Sequence, residues 1–153
     1  MRVEERLDRL ENELAIRALA HEYCHGADKQ DRARFASVWA PDGVWAVSDE
    51  QEFSGVAAIC DAVTQQWDAF REMHHWTANH VVTFDGDDPD CAAGEANVRV
   101  LIVFRDGTRF RGGGTYLDRY TRSGGVWRIS RREVGGVFAD GHSPTSTPTE
   151  ESD

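Results

Sequence analysis

The chain has 153 residues, a length typical of one domain with a single hydrophobic core. Its 17 basic and 27 acidic residues give a formal net charge of −10, which disfavours nucleic acid and anionic membrane surfaces as partners. Hydrophobic residues make up 40% of the chain, too many for a disordered protein. No apolar run is long enough to cross a bilayer, and the charged first residues exclude a secretory signal. Three widely spaced cysteines predict buried thiols in a reducing compartment, so we expect a cytoplasmic protein.

The first predicted element is a long helix. Apolar residues recur at spacings of four, three and four, and the stripe then continues through Ile16, Leu19 and Tyr23. The residues of its first part are Val3, Leu7, Leu10 and Leu14. This stripe favours either a contact between subunits or ordinary packing. Gly26 is interpreted as the end of the helix.

Two more helices and a short hairpin are predicted before residue 74. DRARFASVW (31–39) predicts the second helix, and Pro41–Gly43 predicts a turn. GVWAVS alternates as a strand does and can pair with a short strand around Phe53. Apolar residues recur at helical spacing from Val56 to Met73, which predicts the third helix.

From His74 onward the sequence predicts a sheet. HHWTANHVVTF (74–84) is rich in β-branched and aromatic residues, and three more strands follow it. The glycine run 112–114 lies within a strand with no helix after it, which predicts a bulge or bend rather than a phosphate loop. The polar residues 141–153 are predicted to be a disordered tail. Three helices with four long strands indicate an α+β domain whose curved sheet wraps around its helices.

Three segments carry a resemblance to a known family. EYCHGADKQDRARFASVWAPDGVW (22–45), HHWTANHVVTF (74–84) and GTYLDRYTRSGGVWRISRRE (114–133) resemble the SnoaL-like branch of the nuclear transport factor 2-like superfamily. The resemblance covers residues ~5 to ~138 in order, so residues 1–140 are expected to form the domain. It implies a cone-shaped α+β barrel, open at one end, with a mostly antiparallel sheet and a deep apolar pocket. Since this fold hosts many activities, function has to be argued from the site.

The resemblance implies a catalytic pair, Asp28 and His75. Dehydratases and a dehydrochlorinase of this superfamily place an Asp after the first helix and a His on the third strand, where the His takes a proton from a substrate carbon. A carboxylate on one imidazole nitrogen selects the tautomer and stabilises the protonated ring. GADKQ (26–30) and HHWTAN (74–79) match the dehydrochlorinase segments and select His75 over His74. The alternative interpretation is a structural His and a helix-capping Asp.

Strand periodicity alone does not choose between the two histidines. It places His75, Thr77 and Asn79 on one face, where Asn79 is a candidate substrate contact. His74, Trp76, Ala78, Val82 and Phe84 fall on the other, more apolar face. His75 and His80 are an odd number of residues apart, so they are expected to face opposite ways, and no metal site is predicted.

Tyr23 and Arg132 are the other candidates for a chemical role. Dehydratases of the superfamily keep a Tyr at the position of Tyr23 that polarises a carbonyl or leaving oxygen, whereas the dehydrochlorinase carries a Lys. A core tyrosine with a satisfied hydroxyl is the alternative. Arg132 aligns with a pocket Arg of the dehydrochlorinase and would stabilise an enolate or departing anion. Periodicity places it on the face of Arg128 and Ser130, where an exposed edge is equally compatible.

The sequence supports three functional hypotheses. The first is a cofactor-independent lyase of the dehydratase type, acting on a hydrophobic cyclic or polyketide-like molecule. The second is an isomerase or cyclase in the same pocket, and the third is a non-catalytic module that binds small molecules. The candidate pocket walls are Trp39, Trp45, Phe53, Trp67 and Phe138, each of which can equally be core. A homo-oligomer, trimer or dimer, is predicted because the run Val100–Phe104 needs cover on both strand faces.

Overall fold

The computed structural model describes residues 1–140, so the predicted tail lies outside the described residues. Three helices and six strands make up this part of the chain. The helices are α1 (Val3–Asp28), α2 (Arg32–Ser37) and α3 (Val56–Ala69). The strands are β1 (Trp39–Ser48), β2 (Gln51–Ser54), β3 (Phe70–Phe84), β4 (Cys91–Phe104), β5 (Arg109–Ser123) and β6 (Val126–Ala139).

The strands form one mixed sheet in the order β2-β1-β6-β5-β4-β3. β1 and β6 pair in parallel, and every other neighbouring pair is antiparallel. The sheet is not closed, since β2 and β3 are its two edges. The helices lie against the sheet: α1 contacts β3 and β6, whereas α3 contacts β1 and β3. The predicted α+β architecture is confirmed.

The end of α1 differs from the prediction, and the difference fixes the position of Asp28. Gly26 does not end the helix, which continues through Asp28. A Cβ at residue 26 would lie 2.6 Å from the backbone nitrogen of Phe35, so this glycine permits the close approach of α2 to α1. The carboxylate of Asp28 is therefore held in the last turn of a long, well-supported helix.

Two strands begin earlier than predicted. Pro41–Gly43 belongs to β1, where the pairing with β6 shifts register between Trp39 and Val44, so an irregular strand replaces the expected turn. The third helix ends at Ala69, and Phe70 already starts β3. Trp67, Phe70 and Met73, at the end of α3 and the start of β3, all pack in the core, and burial alone does not separate a helix from a strand.

Two bulges reverse the strand faces that simple alternation predicts. Pairing between β3 and β4 shifts register between Ala78 and Val81, and Asn79 has a positive φ of 55°. As a result His80 turns inward on the same side as His75, contrary to the prediction. Val82 and Phe84 follow it and pack against the core. A second shift lies near Ser130, because Tyr120 pairs with Ile129 whereas Arg119 pairs with Arg131.

The central part of β4 presents its apolar residues to both sides of the sheet. Val98, Val100 and Ile102 line the cavity side, and the residues that alternate with them are Leu101, which is partly exposed, and Val103, which is buried. Cys24 and Cys60 are buried free thiols, whereas Cys91 is partly exposed. Within residues 1–140 no helix is long and apolar enough to cross a membrane.

Candidate active site

An apolar cavity of about 250 Å³ lies between the inner face of the sheet and helices α1 and α3. Four of its lining side chains carry polar groups suited to contact a substrate: Tyr23, Gln66, His75 and Tyr116. The other lining residues are Ala27, Trp45, Val47, Val63, Phe70, Met73, Val98, Val100, Ile102, Phe110, Gly113, Val134 and Val137. No lysine or arginine is among them. An apolar cavity with a few convergent polar groups is the usual form of a small-molecule site.

Asp28 and His75 meet at this cavity although they lie 47 residues apart in the chain. Nδ1 of His75 is 2.5 Å from Oδ1 of Asp28. The backbone N–H of His75 donates to the other carboxylate oxygen, Oδ2, at 2.8 Å. Only 10% of the His75 side chain and 14% of the Asp28 side chain are exposed.

This contact determines the chemistry available to the imidazole. A carboxylate at Nδ1 favours the tautomer in which that nitrogen carries the proton. Nε2, on the opposite side of the ring, then keeps its lone pair and has no hydrogen-bond partner among the described residues. His74, in contrast, is exposed on the outer face, beside the ring of Trp76. The geometry therefore leaves His75 as the histidine at the cavity.

Tyr23 lies beside His75 with ring centroids 6.2 Å apart and planes at 76°. It lines the cavity together with Tyr116, whose ring centroid is 5.7 Å from that of Tyr23. Burial raises the pKa of Tyr23 to about 12 and also raises the pKa of Tyr116. Both hydroxyls are consequently protonated near neutral pH and can act as hydrogen-bond donors.

Arg132 is fully buried but does not line the cavity. Its guanidinium carbon lies 4.3 Å from the ring centroid of Tyr23 and 4.0 Å from that of Tyr116, so the cation contacts both rings. This corrects the predicted pocket position. The bulge near Ser130 also removes Arg132 from the face of Arg128 and places it inward, in a strand that is central rather than an edge.

The charge of Arg132 is neutralised by a buried network behind the tyrosines. Asp118 accepts from Nε at 2.8 Å and from Nη2 at 2.7 Å, whereas Nη1 has no hydrogen-bond partner within residues 1–140. The hydroxyl of Tyr120 also donates to Asp118, at 2.7 Å. Nε2 of His80 lies 3.1 Å from that hydroxyl. Because the hydroxyl proton is used on Asp118, His80 must be the donor in this contact, which fixes the proton on its Nε2.

Of the predicted aromatic walls, only Trp45 lines the cavity. Trp39 is buried behind Trp45, with the two ring centroids 6.3 Å apart. Phe53, on the edge strand β2, packs on Trp45 with a centroid distance of 6.0 Å. Trp67 faces the other way, since its Nε1 donates to the carbonyl of Ala27 at 2.9 Å and joins α3 to α1. These three residues are core, as the alternative interpretation allowed.

Asn79 and Phe138 also lie outside the cavity. Asn79 occupies the bulge of β3 and is exposed. Phe138 is exposed beneath the guanidinium of Arg99, at 5.3 Å. Its neighbour Val137 lines the cavity instead, because the pairing of β5 with β6 shifts register near the 112–114 glycine run.

Sequence reasoning missed Tyr116 and Gln66. Tyr116 lies in the TYLDRY segment (115–120), whose tyrosines belonged to the family pattern without a role. Gln66 lies one position before Trp67 on α3. Its side chain points toward the cavity, whereas that of Trp67 points toward α1. Among residues 1–140 no group of three His, Cys, Asp or Glu side chains has the arrangement of a metal site.

Comparison with known proteins places this geometry in a family. A family model described as a SnoaL-like domain matches residues 8–133. The chain belongs to the SnoaL-like family. Gamma-hexachlorocyclohexane dehydrochlorinase of Sphingobium indicum is 27% identical to it over 138 residues, which cover 84% of this chain and 82% of that protein.

Solved structures agree with the SnoaL-like assignment. A hexachlorocyclohexane dehydrochlorinase from Novosphingobium barchaimii superposes with a TM-score of 0.77 at 25% identity, covering 87% of this chain and 92% of that one. A protein described as a putative scytalone dehydratase from Novosphingobium aromaticivorans superposes with a TM-score of 0.75 at 18% identity, covering 95% and 97% of the two chains. The latter likeness concerns the fold alone. The dehydrochlorinase relatives support the prediction of an enzyme of the lyase type.

Proposed function

We propose that this SnoaL-like protein is a cofactor-independent lyase of the dehydratase type, with a neutral, hydrophobic, cyclic or polyketide-like substrate. The observation that carries the proposal is the contact of Nδ1 of His75 with the Asp28 carboxylate, at the wall of an apolar cavity. A general base needs a free lone pair within reach of the substrate and a partner that stabilises its protonated form. His75 has both.

In the proposed reaction Nε2 of His75 removes a proton from a substrate carbon. The electron pair of that C–H bond forms a double bond to the neighbouring carbon, and the leaving group departs from there with its bonding pair. The imidazole becomes an imidazolium, whose charge the Asp28 carboxylate stabilises. The protonated ring can then return its proton to a departing hydroxide, which releases water, or to solvent when the leaving group is a halide.

Tyr23 is proposed to assist the carbonyl or leaving oxygen of the substrate. Its hydroxyl is protonated near neutral pH, and the guanidinium of Arg132 lies 4.3 Å from its ring centroid. Because Asp118 neutralises that charge, the guanidinium is proposed to hold and polarise the ring, while the hydroxyl itself donates to the negative charge that develops on the substrate oxygen. Arg132 acts from behind the tyrosine in this proposal, as a positioning and electrostatic residue.

The walls support a neutral substrate. The lining residues include no lysine or arginine that would neutralise a carboxylate or phosphate. A buried charge without a partner is costly, so an anionic substrate would lose affinity on entering. The name of the dehydrochlorinase relatives, whose substrate is a chlorinated cyclohexane, agrees with this preference.

The experiment is a panel of neutral cyclic compounds with a leaving group beta to an acidic C–H bond. β-Hydroxy cyclic ketones report water loss through enone absorbance, and γ-hexachlorocyclohexane reports chloride release. Elimination from at least one class supports the proposal. Migration of a double bond or ring closure without loss of a leaving group would favour an isomerase or cyclase. A rise in melting temperature without turnover would favour a binding module.

A homo-oligomer, trimer or dimer, in the cytoplasm remains the prediction for the assembled protein. The outer face of the sheet supports it, because Trp76, Val81 and Leu117 are exposed there. Light scattering that returns the 17.1 kDa monomer at micromolar concentration would contradict it.

A further inference from the structure

The first half of α1 carries an apolar seam that the domain does not cover. It consists of Val3, Leu7, Leu10 and Leu14, whose exposed fractions are 65%, 53%, 55% and 67%. Their spacings of four, three and four are those of alternating a and d positions in a heptad repeat. We call these four residues the α1 seam.

The α1 seam points away from the body of the protein. At about 100° per residue, its four side chains fall within an arc of about 60°. This part of the helix contacts the domain through Arg9, which covers the ring of Phe84, and Asn12, which accepts from Nε1 of Trp127. These two residues lie roughly 150° around the helix axis from the α1 seam. The stripe therefore does not continue into the core face at Ile16, as the sequence suggested. The helix has two apolar faces, and only one of them is used within the subunit.

The charges beside the seam favour one orientation of a partner helix. With Leu7 and Leu14 at a positions, Arg6 and Glu13 occupy g, and Glu4 and Glu11 occupy e. In a parallel pair each g residue faces the following e residue of its partner, so Arg6 would meet Glu11 twice by symmetry. In an antiparallel pair Glu4 would face Glu11 instead, and like charges repel. Arg6 would face Glu13 in that arrangement, but Glu13 is already paired with Arg17 of its own helix at 2.7 Å. Neither Arg6 nor Glu11 has an ion pair within residues 1–140.

We propose that the α1 seam pairs with the α1 seam of a second copy of this chain, as a short parallel coiled coil on a two-fold axis. The pairing would remove four apolar side chains per subunit from water and satisfy two Arg6–Glu11 contacts. Two heptads are short for an independent coiled coil, but each helix is already formed and anchored by its own domain. The contact is separate from the outer face of the sheet.

A second copy suits this face better than a membrane does. Residues 1–14 carry five acidic and three basic side chains, so the helix would be repelled by an anionic bilayer. Helices that lie on membranes are instead rich in Lys and Arg on their polar face.

The test is the mass of the full chain by light scattering across a concentration series. Leu10→Glu places a charge in the α1 seam and is expected to halve the mass, from dimer to monomer or from hexamer to trimer if the sheet faces also associate. Ala15→Glu is the matched control, an exposed alanine on the same helix but outside the seam. It should keep the parental mass and melting temperature, and both variants should keep the parental circular dichroism. Leu10→Glu is expected to melt at a somewhat lower temperature, because it loses the stabilisation that association provides.

The charges test the orientation independently. Arg6→Glu and Glu11→Arg should each weaken the association at least several-fold, and the double variant should restore it. Unchanged mass in Leu10→Glu would overturn the proposal, and so would a double variant no better than the single ones. Sedimentation of the parent chain, but not of Leu10→Glu, with phosphatidylserine vesicles would also overturn it, in favour of a membrane contact.

Discussion

Asp28 holds His75 at two points, with Oδ1 on the ring nitrogen Nδ1 and Oδ2 on the backbone N–H. The second contact anchors the last turn of α1 to β3, so the carboxylate cannot turn away from the ring without losing a backbone hydrogen bond. Orientation of the imidazole is therefore built into the packing of a helix on a strand. An imidazole held in this way would need little reorientation to act as the base in the proposed reaction.

Replacing Asp28 tests the electrostatic part of this arrangement. Asp28→Asn keeps the shape but removes the charge that stabilises the imidazolium, and we expect turnover to fall by about 10²–10⁴-fold. The measurement is kcat for a substrate that the panel identifies. The proposed mechanism makes the two residues one unit, so Asp28→Asn combined with His75→Ala should be little slower than His75→Ala alone. Effects that multiply fully would show that the residues act separately.

The buried pair of Arg132 and Asp118 predicts a large loss of stability when it is broken. Asp118→Ala leaves a fully buried guanidinium without its carboxylate, which typically costs about 3–5 kcal/mol in the free energy of unfolding. Asp140→Ala is the control, because it removes an exposed bidentate pair with Arg99 and should cost less than about 1 kcal/mol. Urea denaturation measures both. Equal losses would contradict the structural role given to Asp118.

The three tyrosines predict how stability depends on alkaline pH. The chain contains three, and Tyr23, Tyr116 and Tyr120 are all buried with pKa values raised mainly by that burial. Below pH 10 both the folded and unfolded states keep these protons, so the tyrosines do not change stability. Above pH 10 the unfolded chain loses them first, and each tyrosine then lowers the free energy of unfolding by about 1.4 kcal/mol per pH unit.

Absorbance of tyrosinate near 295 nm checks this directly. The native protein should show almost none up to the pH at which it unfolds, and the absorbance should then rise together with the loss of circular dichroism. Tyr23→Phe removes one titrating group, so above pH 10 its free energy of unfolding should fall less steeply with pH. Gradual ionisation of a folded protein near pH 10 would mean that the hydroxyls are open to solvent.

The sequence predicted the order of elements and the pairing of Asp28 with His75, but for different reasons. Helical spacing and turn residues are local signals, so the helices and long strands were found with errors at their ends. Asp28 and His75 came from the family resemblance, because strand alternation could not choose between His74 and His75. The strand faces predicted for the residues after Asn79 and after Ser130 were wrong, because a bulge at each place inserts one residue and no local sequence pattern marks it.

Cavity walls were the least predictable part of the site. Trp39, Phe53 and Trp67 have the composition of a pocket wall, yet each lies one layer behind the surface that a substrate would touch. Which layer an aromatic residue occupies depends on long-range packing. Tyr116 was not predicted as a cavity residue for the same reason, because its position beside Tyr23 depends on the register of β5 against β4 and β6.

The most direct test of the central claim compares His75→Ala with its neighbour His74→Ala in an elimination assay. His75 meets Asp28 at the cavity, whereas His74 is exposed on the outer face of the same strand. We predict that His75→Ala loses at least about 10²-fold in kcat with its fold and substrate affinity retained, while His74→Ala keeps most of the activity. Full activity of His75→Ala, with or without loss in His74→Ala, would contradict the proposed mechanism.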